Sequence, residues 1–161
     1  NAGVLLTTVE SIKTEGELTW VYVDASTNIM PLIGAAVEGT CNQVISATRM
    51  YEGASETADV VGPLCIPSVL AADCRLPSVV AGDVLAILDA GMYAESDSNQ
   101  LNWIPRPATI MVKGEQSGLV REAETLETIF SSQRLPEWLQ TSSTFPSRYR
   151  HHALEVSRRG S

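Results

Sequence analysis

Val4-Leu5-Leu6-Thr7-Thr8-Val9 and Leu18-Thr19-Trp20-Val21-Tyr22-Val23 lie on either side of a polar segment, Thr14-Glu15-Gly16-Glu17. Both flanks are rich in β-branched and aromatic residues, which fit a pleated, half-buried surface. The glycine between them permits a tight reversal, so Val4–Lys13 and Leu18–Ala25 are expected to form a hairpin. Working outward, Gln43–Met50, Glu56–Val61, Asp83–Asp89, Ala108–Lys113 and Gly118–Glu122 carry the same signature. Short β segments separated by Gly, Pro, Asn and Asp clusters predict a mostly β domain, a barrel or sandwich rather than a βαβ array.

Helical signals are few, one or two short helices at most. Pro31–Glu38 could form a short turn of helix ending at Gly39. Thr125-Leu126-Glu127-Thr128-Ile129-Phe130 is the better helix: Thr125 can cap it, and Leu126, Ile129 and Phe130 share one face. Glu122, Glu124 and Glu127 surround its start, where carboxylates favour the helix dipole without any catalytic role. Beyond Leu139 periodicity gives way to Ser, Thr, Arg and Pro. Residues 1–139 are therefore expected to fold, and 140–161 to be a disordered basic tail. Gly82-Asp83 reads as a plain β-turn.

The chain has 161 residues, 44% of them hydrophobic and 19% charged, enough for one domain with its own core. Up to residue 133 it carries 17 acidic and 6 basic side chains, and beyond that 2 and 5. An acidic body of that kind argues against a nucleic-acid partner. Apolar runs such as Val84–Leu88 are far too short for a bilayer span, so no membrane association is expected. Three cysteines without a secretory signal point to reduced thiols in the cytoplasm. No metal site is expected, because the chain has no Cys-x-x-Cys and its two histidines, His151 and His152, are adjacent in the tail. A start at Asn1, running directly into strand-like sequence, suggests an N-terminally truncated fragment.

Two positions could carry chemistry. Cys65 follows Gly62-Pro63-Leu64 at the end of an apolar strand and precedes Pro67, so it sits on a loop that cannot rejoin the ladder. It is either a small structural residue, as expected for Cys41 and Cys74, or a thiol available as nucleophile or proton donor. Tyr93 follows Asp89-Ala90-Gly91-Met92 at the end of another strand. Its phenol could donate to a phosphate or carboxylate, or simply line a barrel rim. No G-x-S-x-G, dinucleotide fingerprint or phosphate-binding P-loop occurs.

Val60-Val61-Gly62-Pro63-Leu64-Cys65, Leu76-Pro77, Ala81-Gly82-Asp83, Asp89-Ala90-Gly91-Met92-Tyr93 and Pro105-Arg106-Pro107-Ala108 occur in an order that resembles the C-terminal half of the diaminopimelate decarboxylase-like family. Asn1-Ala2-Gly3-Val4-Leu5, Tyr22-Val23-Asp24-Ala25 and Glu122–Glu127 extend the resemblance over about 1–139. It implies a fold-type III, pyridoxal-phosphate-dependent amino-acid decarboxylase whose N-terminal (β/α)₈ barrel, absent here, holds the cofactor. This chain would be its C-terminal β-barrel domain, inactive alone, in a homodimer with shared active sites. The resemblance implies Cys65 as catalytic proton donor, supplied to the neighbouring subunit, and Tyr93 as a contact near the cofactor phosphate.

Departures from the family pattern bear on the substrate. Ile66 stands where the family has an acidic residue, and Met30 and Gly34 stand where an Arg-Pro-x-x-Tyr turn binds a distal carboxylate. An apolar pocket pays heavily for a buried carboxylate, so diaminopimelate is not the expected substrate. Lys13 and Lys113 lack the surroundings of a cofactor lysine. The alternatives are a non-catalytic, stand-alone β-barrel binding domain and an alanine-racemase-like enzyme. The latter is disfavoured because the context of Tyr93 differs from that family's catalytic tyrosine.

Overall fold

A computed structural model describes residues 2–30, 42–65, 69–91 and 93–137. The opening hairpin forms as expected from β1 (Leu5–Glu15) and β2 (Leu18–Val23), antiparallel, with Gly16 at φ 63° in the turn. They are followed by β3 (Val44–Ser46), β4 (Glu56–Val61), β5 (Val69–Leu76) and β6 (Val84–Ile87). A short helix α1 (Ala94–Asp97) and a 3₁₀ turn (Leu101–Trp103) lead to the hairpin β7 (Thr109–Lys113) and β8 (Gln116–Arg121), then to α2 (Leu126–Phe130). The expected helix over Pro31–Glu38, the residues Cys41 and Ile66, and the expected tail all lie outside the described residues. By compactness the chain divides into two units, Asn1–Ile129 and Phe130–Ser161.

The six strands β1–β6 make one sheet in the order β3-β6-β1-β2-β4-β5. Strand β1 is long enough to serve both halves. Its first residues, Leu5–Thr8, pair with Ile87–Val84 of β6, and Val9–Glu15 pair with Val23–Leu18 of β2. The register slips between Val9 and Ser11, a bulge that bends the strand as it changes partner. The edge strands β3 and β5 come against each other, so the sheet curls into a nearly closed barrel. The structure is mostly β with few short helices, as the sequence predicts.

Alternate residues of these strands point inward. Val9, Val21, Val23, Val60, Leu70, Leu76, Leu85 and Ile87 are at most 2% exposed and fill the barrel. Burying a side chain of that size stabilises the fold by about 1.5–3 kcal/mol each. Cys74, on β5, belongs to this core, in keeping with the structural role expected of it.

Strand β5 is the element the sequence reading misses. Val69-Leu70-Ala71-Ala72-Asp73-Cys74-Arg75-Leu76 lacks clean alternation because Asp73 is bulged. Its φ is 53°, its amide donates to Asp59 Oδ1 at 2.9 Å, and the β4–β5 register slips between Ala58 and Val60. Strand β3 is shorter than expected, because Ala47 onward folds into a turn whose amides bond Val84 O. Thr125 caps α2 as anticipated, accepting the Thr128 amide at 3.1 Å.

Candidate active-site loops

Three connections at the barrel rim carry the candidate residues, and one turn underlies them. Asp24, at the end of β2, accepts from Thr7 Oγ1 (2.5 Å) and the Thr8 amide (2.9 Å), which locks the chain to β1. The turn then closes through Ile29 N–H to Ser26 O at 2.9 Å. Ser26, Thr27 and Asn28 are buried polar residues, at 1%, 6% and 1% exposure.

The Cys65 loop rests on this turn. Gly62 approaches Ala25 and Ser26 so closely that a Cβ at position 62 would collide with Ala25 O and the Ser26 side chain. That close approach is why a glycine ends β4. Leu64 is 6% exposed and faces inward, which leaves Cys65 exposed at the rim. Its Sγ accepts a hydrogen bond from Asn102 Nδ2 at 3.9 Å.

The Tyr93 segment is fixed from the other side. Ala90 N–H donates to Gly3 O at 2.9 Å, and a Cβ on Gly3 would lie 2.5 Å from Gly91 Cα. Two backbones therefore cross here so closely that Gly3 has no room for a side chain, while a Cβ on Gly91 would fit only tightly, 3.1 Å from Gly3 N. Tyr93 precedes α1 with φ 61° and ψ −16°, and the residue is 57% exposed. Asp89, Asn102 and Trp103 are also left-handed, at φ 57°, 56° and 60°. Such conformations cost non-glycine residues about 1–3 kcal/mol each, so the surroundings must enforce them.

The enforcing contacts are visible. Asn28 clasps the segment through Asn99 N–H to Asn28 O (2.9 Å) and Asn28 Nδ2 to Asn99 O (3.2 Å). Further on, Glu124 gathers Gln100 Nε2 (2.9 Å), Arg106 Nε (2.8 Å), Arg106 Nη2 (2.5 Å) and the Arg106 amide (3.0 Å). The Arg106 hydrogen bonds hold the Glu124 carboxyl far below the usual carboxylate range, at about 2. Glu124 is thus a tie between segments, whereas the sequence suggested only a favourable charge near a helix start. Asp83 likewise does more than turn the chain: it accepts from Arg49 Nε (2.7 Å), Thr48 Oγ1 (3.1 Å) and the Val80 amide (2.8 Å). These bonds, that from Arg49 foremost, lower its pKa.

Cys65 and Tyr93 therefore sit on neighbouring connections linked through Asn102, which lies in the same segment as Tyr93. The sequence reading passed over Asn102, whereas Asn28 and Gly3 stood out only as part of the family resemblance and not as supports of the site. A polar residue between Leu101 and Trp103 was the only available signal for the first. Of the lysines, Lys13 is exposed, pairs with Glu15 at 3.2 Å and lies 5.7 Å from the centre of the Trp20 ring. Lys113 is exposed at the end of β7.

Residues 1–91 match the family described as pyridoxal-dependent decarboxylase, C-terminal sheet domain. The chain belongs to that family. It is 41% identical to the diaminopimelate decarboxylase of Archaeoglobus fulgidus over 140 residues, 86% of this chain and 33% of that protein. The diaminopimelate decarboxylase of Methanothermobacter thermautotrophicus is 39% identical, over 84% of this chain and 31% of its own. The crystal structure of the M. jannaschii diaminopimelate decarboxylase with L-lysine superposes with a TM-score of 0.74 at 29% identity, over 84% and 31% of the two chains. The decarboxylase sheet domain described here thus spans about a third of the length of the relatives it matches. Met30 is 1% exposed and part of this domain's core.

Proposed function

We propose that the complete protein is a pyridoxal-phosphate-dependent amino-acid decarboxylase to which residues 1–139 contribute the C-terminal domain. The observation that carries this reading is the exposed Cys65 on a loop whose glycine, Gly62, is fixed by contact with the Ala25–Ser26 turn. A thiol of purely structural use would be buried, as Cys74 is. The cofactor's own lysine and phosphate cradle belong to another domain, because neither Lys13 nor Lys113 has an enclosed setting. What this chain can offer is peripheral. Tyr93 presents a phenol able to donate to a phosphate, and Cys65 presents a proton donor.

The cofactor, when bound, supplies an electron sink for the pair left on the substrate carbon as CO₂ departs. Cys65 then delivers its proton to that carbon, and Tyr93 steadies the phosphate end. In this reading the two loops open toward a second subunit of a homodimer, so Cys65 serves the partner's substrate. The substrate is an amino acid without a distal carboxylate, since Met30 is packed into the core where a binding arginine would be needed.

The test is CO₂ release by the complete protein from a panel of L-amino acids, with meso-diaminopimelate included. Cys65→Ala is expected to lower turnover at least about a hundredfold, within the range for removal of a general acid, while Cys74→Ala lowers only stability. Equal turnover in the two variants would refute the role given to Cys65. Fastest turnover of diaminopimelate would refute the substrate assignment.

A further inference from the structure

We infer that Asn102 is the positioning residue for Cys65, holding the thiol so that its proton points away from the barrel rim and into the open site. The inference rests on the decarboxylase reading of Cys65. Asn102 Nδ2 donates to Cys65 Sγ at 3.9 Å, across 37 positions of sequence. A sulfur that accepts from one side keeps its own S–H free for another direction.

The placement is supported on both sides. The Cys65 loop is seated through Gly62 on Ala25 and Ser26, and the Asn102 segment is clasped through Asn99 to Asn28. Ala25 to Asn28 is a single turn, so one short stretch of backbone sets the distance between the two side chains. Leu101 N–H bonds Asn99 Oδ1 at 3.0 Å and Trp103 N–H bonds Gln100 O at 2.8 Å, which closes the 3₁₀ turn around Asn102. Asn102 and Trp103 are consecutive left-handed residues, at φ 56° and 60°.

Asparagine tolerates this backbone better than most residues, so a purely conformational reason for Asn102 competes with the positioning role. The two readings separate by substitution. Asn102→Gly keeps the left-handed backbone and removes the donor. Asn102→Asp keeps shape and backbone but sets a carboxylate, which can only accept, against the sulfur.

In the complete protein, three quantities are measured for each variant: melting temperature, kcat and KM for decarboxylation, and the rate at which iodoacetamide alkylates Cys65, read from its peptide by mass spectrometry. Asn102→Asp is expected to slow alkylation at least about threefold, because a carboxylate beside sulfur opposes its reactive negative form. Both variants are expected to lose about tenfold or more in kcat with KM changed less than about twofold, as for a group that acts on a proton transfer rather than on binding. Asn102→Gly should not lower the melting temperature, since glycine relieves the left-handed strain. Unchanged alkylation in Asn102→Asp, or full kcat in Asn102→Gly, would overturn the inference while leaving the Cys65 reading intact. Full activity in Cys65→Ala would remove the thiol's role and Asn102's with it.

Discussion

Glu124 gives the sharpest quantitative expectation. Replacing it with glutamine keeps the shape and one acceptor but deletes the charge that Arg106 and Gln100 converge on. The carboxyl falls from 4.5 to about 2 in the folded protein. At about 1.4 kcal/mol per pKa unit this sets an upper bound of roughly 3 kcal/mol. The side chains of Arg106 and Glu124 are 27% and 15% exposed, so water screens part of the interaction. The expected loss is then about 2 kcal/mol, equivalent to a factor of about 30 in a local opening equilibrium. Hydrogen exchange reads this directly, because the Arg106 amide donates to Glu124 Oε2 and the Glu124 amide to Arg106 O. Peptides covering these amides should exchange about 30-fold faster in Glu124→Gln at neutral pH, each compared with wild type at the same pH. The pH dependence follows from the direction of the shift. A carboxyl whose pKa is lowered by folding contributes its full stabilisation above the unfolded value of 4.5 and loses it as pH falls toward about 2. The ratio should therefore hold steady above about pH 5 and shrink several-fold by about pH 3. A ratio below about threefold at neutral pH, or one that does not shrink in acid, would refute the idea that this carboxylate ties the Tyr93 segment down.

Gly62→Ala should lower the melting temperature and slow product formation together, because its Cβ meets Ala25 O and Ser26 beneath the Cys65 loop; overpacking of this kind costs about 1–3 kcal/mol. An unchanged melting temperature would show that the loop has slack. Asp83→Asn should lower the melting temperature at neutral pH, since Asp83 accepts from Arg49, Thr48 and Val80. Its pKa is lowered, so the difference from wild type should vanish as pH falls below the ordinary aspartate range. A difference that persists in strong acid would assign the effect to packing.

Strand positions were legible where alternation was clean. β1, β2, β4, β7 and β8 combine β-branched residues with a glycine or polar turn, and local sequence suffices for them. β5 was not legible because Asp73 inserts a left-handed residue that breaks the period of two, and its pairing with β4 is decided by burial. The motifs around Cys65 and Tyr93 could be found from their turn residues. Their supports could not, because each is a long-range contact. Gly3 reaches Gly91, Asn28 reaches Asn99 and Glu124 reaches Arg106, and no spacing rule links such pairs. Glu124 was visible as an acidic residue near a helix, but the partner that sets its pKa was not.

The pairing of β2 with β4 is the one parallel ladder among the described residues, Trp20 to Tyr22 against Asp59 to Val61. Antiparallel neighbours such as β1 and β2 can zip from their turn within microseconds, whereas a parallel pair must first close a long intervening loop. The ordering entropy of that loop is lost before the contact returns anything. β4 carries the Cys65 loop directly at its end, so that loop reaches its seat on Ala25 and Ser26 only after this slow closure. During synthesis and refolding this loop is consequently among the last parts of the sheet to be seated, and Cys65, exposed in the folded protein as well, takes up its fixed position only then.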